Sequence, residues 1–245
     1  MRVQSLALAA AGAALLAPTT LPESPAPVAA TTPAPAAGPA HPRVTPDAAR
    51  EGAVSAADLL AKARTCAPVS RGRYRSDEGA PADIPVCGTR DAVFWKADLD
   101  IDCDGRPGRH CNGDTDPYFS ASTAFTQSDG RYLDAERLPF IVVPAASAIW
   151  NHRDDDVRGG SVAAVVHRDR VQYAVVGDVG PGHVIGEASY ATAERLGINP
   201  DPRRGGTDSG VTYIVFKGSQ ASPIESHAAA VAEGERLARR WVDAG

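Results

Sequence analysis

The stretch that decides the fold is residues 93–104, which read VFWKADLDIDCD. Apolar and polar residues alternate along the whole of it. One face carries Trp95, Ala97, Leu99, Ile101 and Cys103, and the other carries Lys96, Asp98, Asp100, Asp102 and Asp104. A period of two residues predicts a half-buried β-strand, with the acids on its polar face.

Outward from this strand, the same reasoning predicts more strands and few helices. Short apolar runs predict strands at 140–144, 162–167, 171–176 and 211–216, the middle two joined as a hairpin. Capping residues predict helices over about 57–64 after Ser55, over 188–196 before Gly197, and from Ser222 to about Trp241. Many short strands predict a mainly β fold, namely a β-barrel with a few short peripheral helices and a C-terminal helix.

The N-terminal region does not have the composition of a folded domain. Residues 1–17 have one Arg before a short apolar run, and small residues at 28–30 suit a signal peptidase, so we expect a secretory signal peptide over 1–30. A membrane anchor is disfavoured, because the run is too short to span a bilayer and Pro18 ends it. Residues 31–46 continue a Pro-, Ala- and Thr-rich segment and predict a linker or disordered tail. A single domain over 47–245, secreted to the extracellular space, completes the expected organisation.

Four cysteines in an exported chain predict disulfides. They are Cys66, Cys87, Cys103 and Cys111. Three pairings are possible, and sequential pairing is favoured because each bond then closes a short loop. A zinc site is the alternative, but no C-x-x-C occurs and the spacings fit no zinc knuckle.

Composition and missing motifs exclude several classes of function. The chain of 245 residues has a formal net charge of −5. An acidic protein is poorly suited to nucleic acid or anionic membranes and better suited to a cationic partner. The sequence has no phosphate-binding loop, dinucleotide fingerprint, zinc-protease motif or serine-hydrolase elbow. We therefore expect no cofactor, no metal, no nucleic-acid or membrane partner, and a monomer.

The row of acids on the first strand allows three interpretations. Asp98, Asp100, Asp102 and Asp104 could be a solvated face, a groove for a polycation, or part of a calcium loop that starts at Asp100. The calcium loop lacks its closing Glu, because Cys111 takes that position, and no helix precedes it. The groove is favoured, which makes these four residues candidate substrate-binding groups.

A second carboxylate pair lies in the Gly-rich stretch at 177–189. Asp178 is expected in a turn after the strand that ends at Val176, and Glu187 follows nine residues later, before a helix. Tight Gly turns let two carboxyl groups face one cleft, and two carboxyls are the minimum equipment for cleaving a glycosidic bond. The structural alternative is an Asp turn followed by a Glu that a helix dipole stabilises. Glu187 is assigned as general acid because Glu has the higher ordinary pKa, and Asp178 as base, although the order could be reversed.

These residues carry a resemblance to a known family. The segment KADLDIDCDG at 96–105, the pair GD…GEAS at 177–189 and the strand VTYIVF at 211–216 resemble the chitosanases of glycoside hydrolase family 75, over about residues 70–217. The resemblance implies a secreted, endo-acting, inverting chitosanase that cleaves β-1,4 bonds, with Asp178 and Glu187 as its essential carboxylates. A looser likeness to double-psi β-barrels keeps two alternatives open: a peptidoglycan lytic enzyme and a non-catalytic, expansin-like polysaccharide-binding protein.

Overall fold

The chain folds into a closed β-barrel, seen in a computed structural model that describes residues 51–244. The strands are β1 (Cys87–Gly88), β2 (Ala92–Asp102), β3 (Phe140–Pro144), β4 (Val162–His167), β5 (Arg170–Gly180), β6 (Glu187–Ser189) and β7 (Thr207–Phe216). The α-helices are α1 (Ala56–Lys62), α2 (Tyr190–Leu196) and α3 (His227–Asp243), with a 3₁₀ turn at His152–Asp155.

Six strands close the barrel in the order β2, β6, β3, β5, β4, β7, and β7 pairs back onto β2. The pairs β2–β6 and β3–β5 are parallel, and the other contacts around the ring are antiparallel. The short β1 pairs with β2 outside the ring. The predicted mainly β fold, a barrel with short helices and a C-terminal helix, is confirmed.

Strand alternation divides the apolar residues between two faces. One cluster takes residues from all six barrel strands and is therefore the barrel interior, where Trp95 stacks on Tyr213 with ring centroids 5.3 Å apart. The other cluster lies on the outer surface, where Trp241 of α3 packs on Phe94 and Phe216. The even-numbered residues of β2 share this outer face, so its acids lie outside the barrel wall.

The predicted polar face of β2 is only partly exposed. Asp98 and Asp102 are 4% and 5% exposed, whereas Asp100 and Lys96 are open to solvent. The solvated-face interpretation, one of the three left open, is therefore wrong for Asp98 and Asp102. Loops from elsewhere in the chain cover the end of β2, which alternation within one strand cannot reveal.

Two predicted helix starts are also corrected. The helix predicted from 188 begins at Tyr190, because Glu187–Ser189 forms β6 and the Ser189 hydroxyl caps the helix through the Thr192 N–H at 3.3 Å. The helix predicted from Ser222 begins at His227, where Ser226 is the capping residue. The first helix has the predicted cap, Ser55, whose hydroxyl accepts the Asp58 N–H at 3.1 Å.

Both disulfides have the favoured sequential pairing. Cys66 bonds to Cys87 and Cys103 bonds to Cys111, so the zinc alternative is wrong. The predicted signal peptide and linker, 1–30 and 31–46, lie outside the described residues. Within residues 51–244, no helix is both long enough and apolar enough to cross a membrane.

Candidate active site

The parallel pairing of β2 with β6 brings the two acidic motifs of the sequence together. Asp100 lies opposite Glu187 and Asp102 lies opposite Ser189 in the register of the two strands. Ala188 faces the barrel interior, so its neighbour Glu187 faces outward, on the side of the β2 acids. Glu187 therefore belongs to a strand, and the helix-dipole alternative for this residue does not apply.

A β-bulge places Asp178 on the same outer face. The strand predicted to end at Val176 continues to Gly180, and Asp178 lies within it rather than in a turn. In the pairing with β3, Val176 is opposite Ile141 but Asp178 is opposite Val142, so Gly177 is the extra residue. Without that extra residue, regular alternation would turn Asp178 into the barrel interior.

Three carboxyl groups converge at the end of β2. Oxygens of Asp102, Asp104 and Asp178 lie within 4.8 Å of one another. Each carboxyl group accepts hydrogen bonds from backbone N–H groups. Asp178 Oδ1 accepts from Ala124 and Val179, both at 2.7 Å. Asp102 Oδ1 accepts from the Asp104 N–H at 2.6 Å, and Asp104 Oδ1 accepts from the Ser120 N–H at 2.7 Å. The loop at 120–124 therefore orients two of the three.

These three carboxyl groups have the spacing to hold a cation, but they are not the three that the sequence suggested. The calcium-loop reading required Asp100, Asp102 and Asp104 to share an ion. In the structure Asp100 lies in another cluster, with Asp77 and Asp98, while Asp178 completes the trio. Asp100 and Asp102, the first two ligands of the predicted calcium loop, lie in the extended strand β2 and not in a loop. The geometry of an EF-hand calcium loop is therefore excluded.

Burial and mutual repulsion raise the proton affinity of the carboxyl groups. Desolvation, followed by the charges of Asp100, Asp104, Asp178 and Asp116, raises the pKa of Glu187 to about 8. A carboxyl group in this setting is protonated at neutral pH.

The pKa values of Asp102 and Asp178 are also raised, but by different combinations of burial, repulsion and hydrogen bonding. Burial and then repulsion from Glu187 and Asp178 raise the pKa of Asp102 well above its ordinary value. Burial also raises the pKa of Asp178, but the two N–H bonds from Ala124 and Val179 oppose the shift by stabilising the ionised form. Glu187 and Asp178 thus have environments that separate their proton affinities.

A cleft of about 320 Å³ opens over Glu187. It is lined by Asp100, Ile101, Asp102, Cys103, Asp104, Asp116, Tyr118, Glu187, Pro202, Arg203 and Gly205. Of the candidate residues, Glu187 and three of the β2 acids meet in this cleft, and Asp178 borders it through Asp102 and Asp104. Asp98 does not line it.

A second cleft of about 450 Å³ adjoins the first and shares Pro202 and Arg203 with it. Its wall includes Tyr190, whose ring stacks on His110 with centroids 5.3 Å apart. Arg203 donates to the carbonyl oxygens of Asp114 and Thr115 at 2.6 and 2.7 Å, which ties the two loops of this wall together.

Sequence reasoning missed the charged and aromatic residues that loops contribute to the acidic cleft. Asp116, Tyr118 and Arg203 lie in loops whose contact with β2 depends on tertiary structure. Tyr118 had a detectable signal, since an aromatic residue in a polar loop is a candidate binding group; it is 91% exposed at the rim of the cleft.

Comparison with known proteins identifies the family. The family model described as a fungal chitosanase of glycosyl hydrolase group 75 matches residues 99–238. Endo-chitosanase C of Aspergillus oryzae is 32% identical over 134 residues, which cover 53% of this chain and 33% of the relative. Endo-chitosanase B of Aspergillus oryzae (strain ATCC 42149 / RIB 40) is 32% identical over 136 residues, covering 52% and 56%.

A third relative aligns over more of the chain. Endo-chitosanase of Aspergillus fumigatus is 29% identical over 173 residues, covering 67% of this chain and 71% of the relative. The first two alignments reach only about a third and just over half of the relatives' own length. The family match itself spans more than half of this chain and contains the whole acidic cleft, and the chain therefore belongs to the fungal chitosanase family, glycosyl hydrolase group 75.

Proposed function

We propose that this protein is a glycoside hydrolase that cleaves β-1,4 bonds within chitosan chains by an inverting mechanism. Family membership and the chitosanase names of its relatives support the substrate. The observation that carries the proposal is that Glu187 lines the acidic cleft, Asp178 borders it beside Asp102 and Asp104, and the two carboxyl groups have unlike environments.

Glu187 suits the role of general acid. A general acid must be protonated at the working pH and must reach the oxygen of the leaving group. Burial and the surrounding acids raise the pKa of Glu187 to about 8, and its side chain lines the cleft. It can therefore enter the reaction with a proton and release it as the glycosidic bond breaks.

Asp178 suits the role of the base that activates water. Its Oδ1 accepts two backbone N–H bonds, which favour the ionised form and fix the direction of the carboxylate. An ionised carboxylate can take a proton from a water that attacks the anomeric carbon. Inversion follows when the acid and the base act on opposite sides of the sugar.

The surrounding acids suit a cationic polymer. Chitosan carries ammonium groups in acidic and near-neutral solution, and carboxylates along a cleft attract and orient such a chain. Asp100, Asp102, Asp104 and Asp116 all contribute to the cleft wall. Substrate ammonium groups would also lessen the repulsion among these carboxylates.

The remaining assignments follow from this function. We propose one catalytic domain over 47–245, a secreted monomer that needs no cofactor. Secretion accords with the two disulfides, which persist in oxidising compartments. The acidic charge accords with a cationic polysaccharide partner and with neither nucleic acid nor membrane.

The test is the release of reducing ends from chitosan, chitin and peptidoglycan assayed side by side. We expect rapid release from chitosan and a fall in solution viscosity before much sugar is freed, as endo cleavage requires. Preference for peptidoglycan would favour the lytic alternative, and binding without hydrolysis of any polymer would favour an expansin-like role. Proton NMR of the first product should show the α-anomer; initial β product would contradict inversion.

A further inference from the structure

A second carboxylate cluster lies beside the cleft, and one of its members is remote from the acidic motifs of the sequence. Oxygens of Asp77, Asp98 and Asp100 lie within 4.8 Å of one another. Asp77 and Asp100 are exposed, whereas Asp98 is buried, so the cluster has a closed base and an open rim.

Backbone pairing, not chance proximity of flexible side chains, brings Asp77 to this position. Arg75 forms a parallel bridge with Val184: its N–H donates to the His183 carbonyl at 3.1 Å, and its carbonyl accepts from Ile185 at 3.0 Å. The segment that carries Asp77 is thereby held against the chain that leads directly into Glu187.

Asp98, at the buried base of the cluster, has a carboxylate oxygen with no partner among the described residues, which independently indicates a place for a positive group. Among residues 51–244, Oδ1 of Asp98 is a buried oxygen without a hydrogen-bond partner. The Tyr213 hydroxyl donates to the Asp98 backbone carbonyl at 2.9 Å and not to this oxygen. A buried carboxylate oxygen without a partner is costly, because it has lost its hydration and gained nothing in return.

The neighbouring charges deepen that cost. After burial, the groups that raise the pKa of Asp98 to about 7 include the carboxylates of Asp100, Asp77 and Asp208. Burial, followed by the charges of Asp77 and Asp208, likewise raises the pKa of Asp100 to about 6. A cation bound among these groups would remove the repulsion.

The spacing fits an ammonium group. Three acceptors about 2.8 Å from a tetrahedral nitrogen lie about 4.6 Å from one another, and these oxygens are at most 4.8 Å apart. Calcium takes six to eight oxygen ligands, more than one oxygen from each of three carboxylates supplies. The open rim leaves room for the sugar that carries the amine.

The location ties this cluster to the reaction. Asp100 is the cross-strand neighbour of Glu187, and a Cβ on the intervening Gly186 would fall 1.9 Å from Asp98 Oδ1. We propose that Asp77, Asp98 and Asp100 bind the 2-ammonium group of a glucosamine unit adjacent to the scissile bond. This inference rests on the proposed function and names Asp77 as a specificity-determining residue.

Calorimetric binding of oligosaccharides tests the inference separately from hydrolysis. The background is Glu187→Gln, so that substrate is not consumed, and a fully deacetylated hexamer is compared with a fully acetylated one. Adding Asp77→Asn should weaken binding of the deacetylated hexamer about fivefold, the scale of a partly exposed charged contact, and the loss should shrink at high salt. Binding of the acetylated hexamer should not change.

Asp83→Asn in the same background is the matched control, since it removes one exposed charge from the same segment and should leave both affinities unchanged. Equal affinities for Asp77→Asn and Asp83→Asn would overturn the ammonium site. A calcium-dependent rise in Tm that Asp77→Asn abolishes would also overturn it, in favour of a metal.

The hydrolysis assay on the wild-type chain separates the two proposals. Hydrolysis of chitosan with no effect of Asp77→Asn on binding would reject the ammonium site and leave the function standing. Selective binding of the deacetylated hexamer that Asp77→Asn weakens, with no hydrolysis by the wild-type chain, would reject the function and keep the ammonium site.

Discussion

At the scale of single residues, the proposed mechanism depends on different proton affinities in similar carboxyl groups. Glu187 is buried beside other acids, and burial followed by their repulsion raises its pKa to about 8. Asp178 is buried as well, but two backbone N–H groups donate to one of its oxygens. Under the proposed roles, the local N–H donors, rather than the residue type, distinguish the base from the acid.

Replacing either carboxyl group should abolish most of the activity and leave the fold intact. Glu187→Gln and Asp178→Asn should each lower kcat by about 10²–10⁴, the usual contribution of a positioned acid or base. Both substitutions keep the shape of the side chain, and Asn at 178 retains an oxygen that can accept the Ala124 and Val179 N–H groups. Turnover on chitosan and Tm are the measurements.

Asp83→Asn is the control and should keep wild-type turnover. A variant at Glu187 or Asp178 that retains more than about a tenth of wild-type kcat would remove that residue from its assigned role.

At the scale of elements, β5 carries its acid on the outer face only because Gly177 is an extra residue in the pairing with β3. Phe140 packs directly over this glycine: a Cβ added at Gly177 would lie 2.6 Å from Phe140 Cβ and 2.9 Å from Leu133 Cδ1. The bulge thus requires a residue without a side chain.

Gly177→Ala should therefore damage both stability and activity. Relief of the clash requires a shift of β3 or of the bulge, at a cost of about 1–3 kcal/mol in the free energy of unfolding. Moving the bulge displaces Asp178, so kcat should fall by more than the loss of folded protein explains. Urea unfolding and turnover per folded molecule are the measurements.

Gly113→Ala is the matched control, because no atom lies within 4 Å of the added Cβ. Wild-type kcat in folded Gly177→Ala would show that the bulge does not position Asp178.

The two disulfides should contribute differently to function. Cys103–Cys111 closes a loop with a sequence separation of 8 directly after β2, next to Asp102 and Asp104. Replacing both cysteines with Ser should cost about 2–3 kcal/mol by loop entropy and also lower kcat, because the end of β2 loosens. Unfolding free energy and kcat should be measured together.

The Cys66–Cys87 pair provides the comparison. Its removal should lower stability to a similar or greater degree, since its sequence separation is 21, and should leave kcat near the wild-type value. Equal losses of kcat in both double variants would contradict a local role for Cys103–Cys111.

At the scale of the whole molecule, the cleft and the adjoining cluster of Asp77, Asp98 and Asp100 concentrate carboxyl groups whose ionisation is unfavourable. The pKa values of Asp98, Asp104 and Glu187 are raised by burial to about 7, 6 and 8. Between the ordinary pKa of a carboxyl and these raised values, the folded chain binds protons that the unfolded chain does not. Stability from these groups is therefore fully present only below the ordinary pKa values, 3.8 for Asp and 4.5 for Glu, and is lost as pH rises toward 8.

We expect Tm to fall as pH rises from about 5 to 8, and Glu187→Gln to flatten the slope. For each extra proton that the folded chain binds, the free energy of unfolding falls by about 1.4 kcal/mol per pH unit. The groups that act on Glu187 in this window are Asp100, Asp102, Asp104, Asp116 and Asp178, with Arg203 also in the cleft wall. Thermal melts across this range are the measurement, and a Tm that rises with pH would contradict the raised values.

Local pattern determined much of this protein. Alternation over 93–104 predicted β2, the apolar run FIVVP predicted β3 with its observed ends, and short loops indicated both disulfides. These features depend on neighbours close in sequence, whose side-chain period and loop length can be read directly. The GD and GEAS motifs likewise marked both candidate catalytic carboxyls.

Only the tertiary structure decided how the acids are arranged and which of them hold protons. Closure of the barrel set Glu187 beside Asp100, the bulge at Gly177 turned Asp178 outward, and a distant segment brought Asp77 to Asp98. Burial and Coulomb repulsion depend on distances through space between segments far apart in the chain. A period of two along one strand therefore predicted an acidic face, but its division into the candidate active-site cleft and an adjoining cluster, which share Asp100, required the folded barrel.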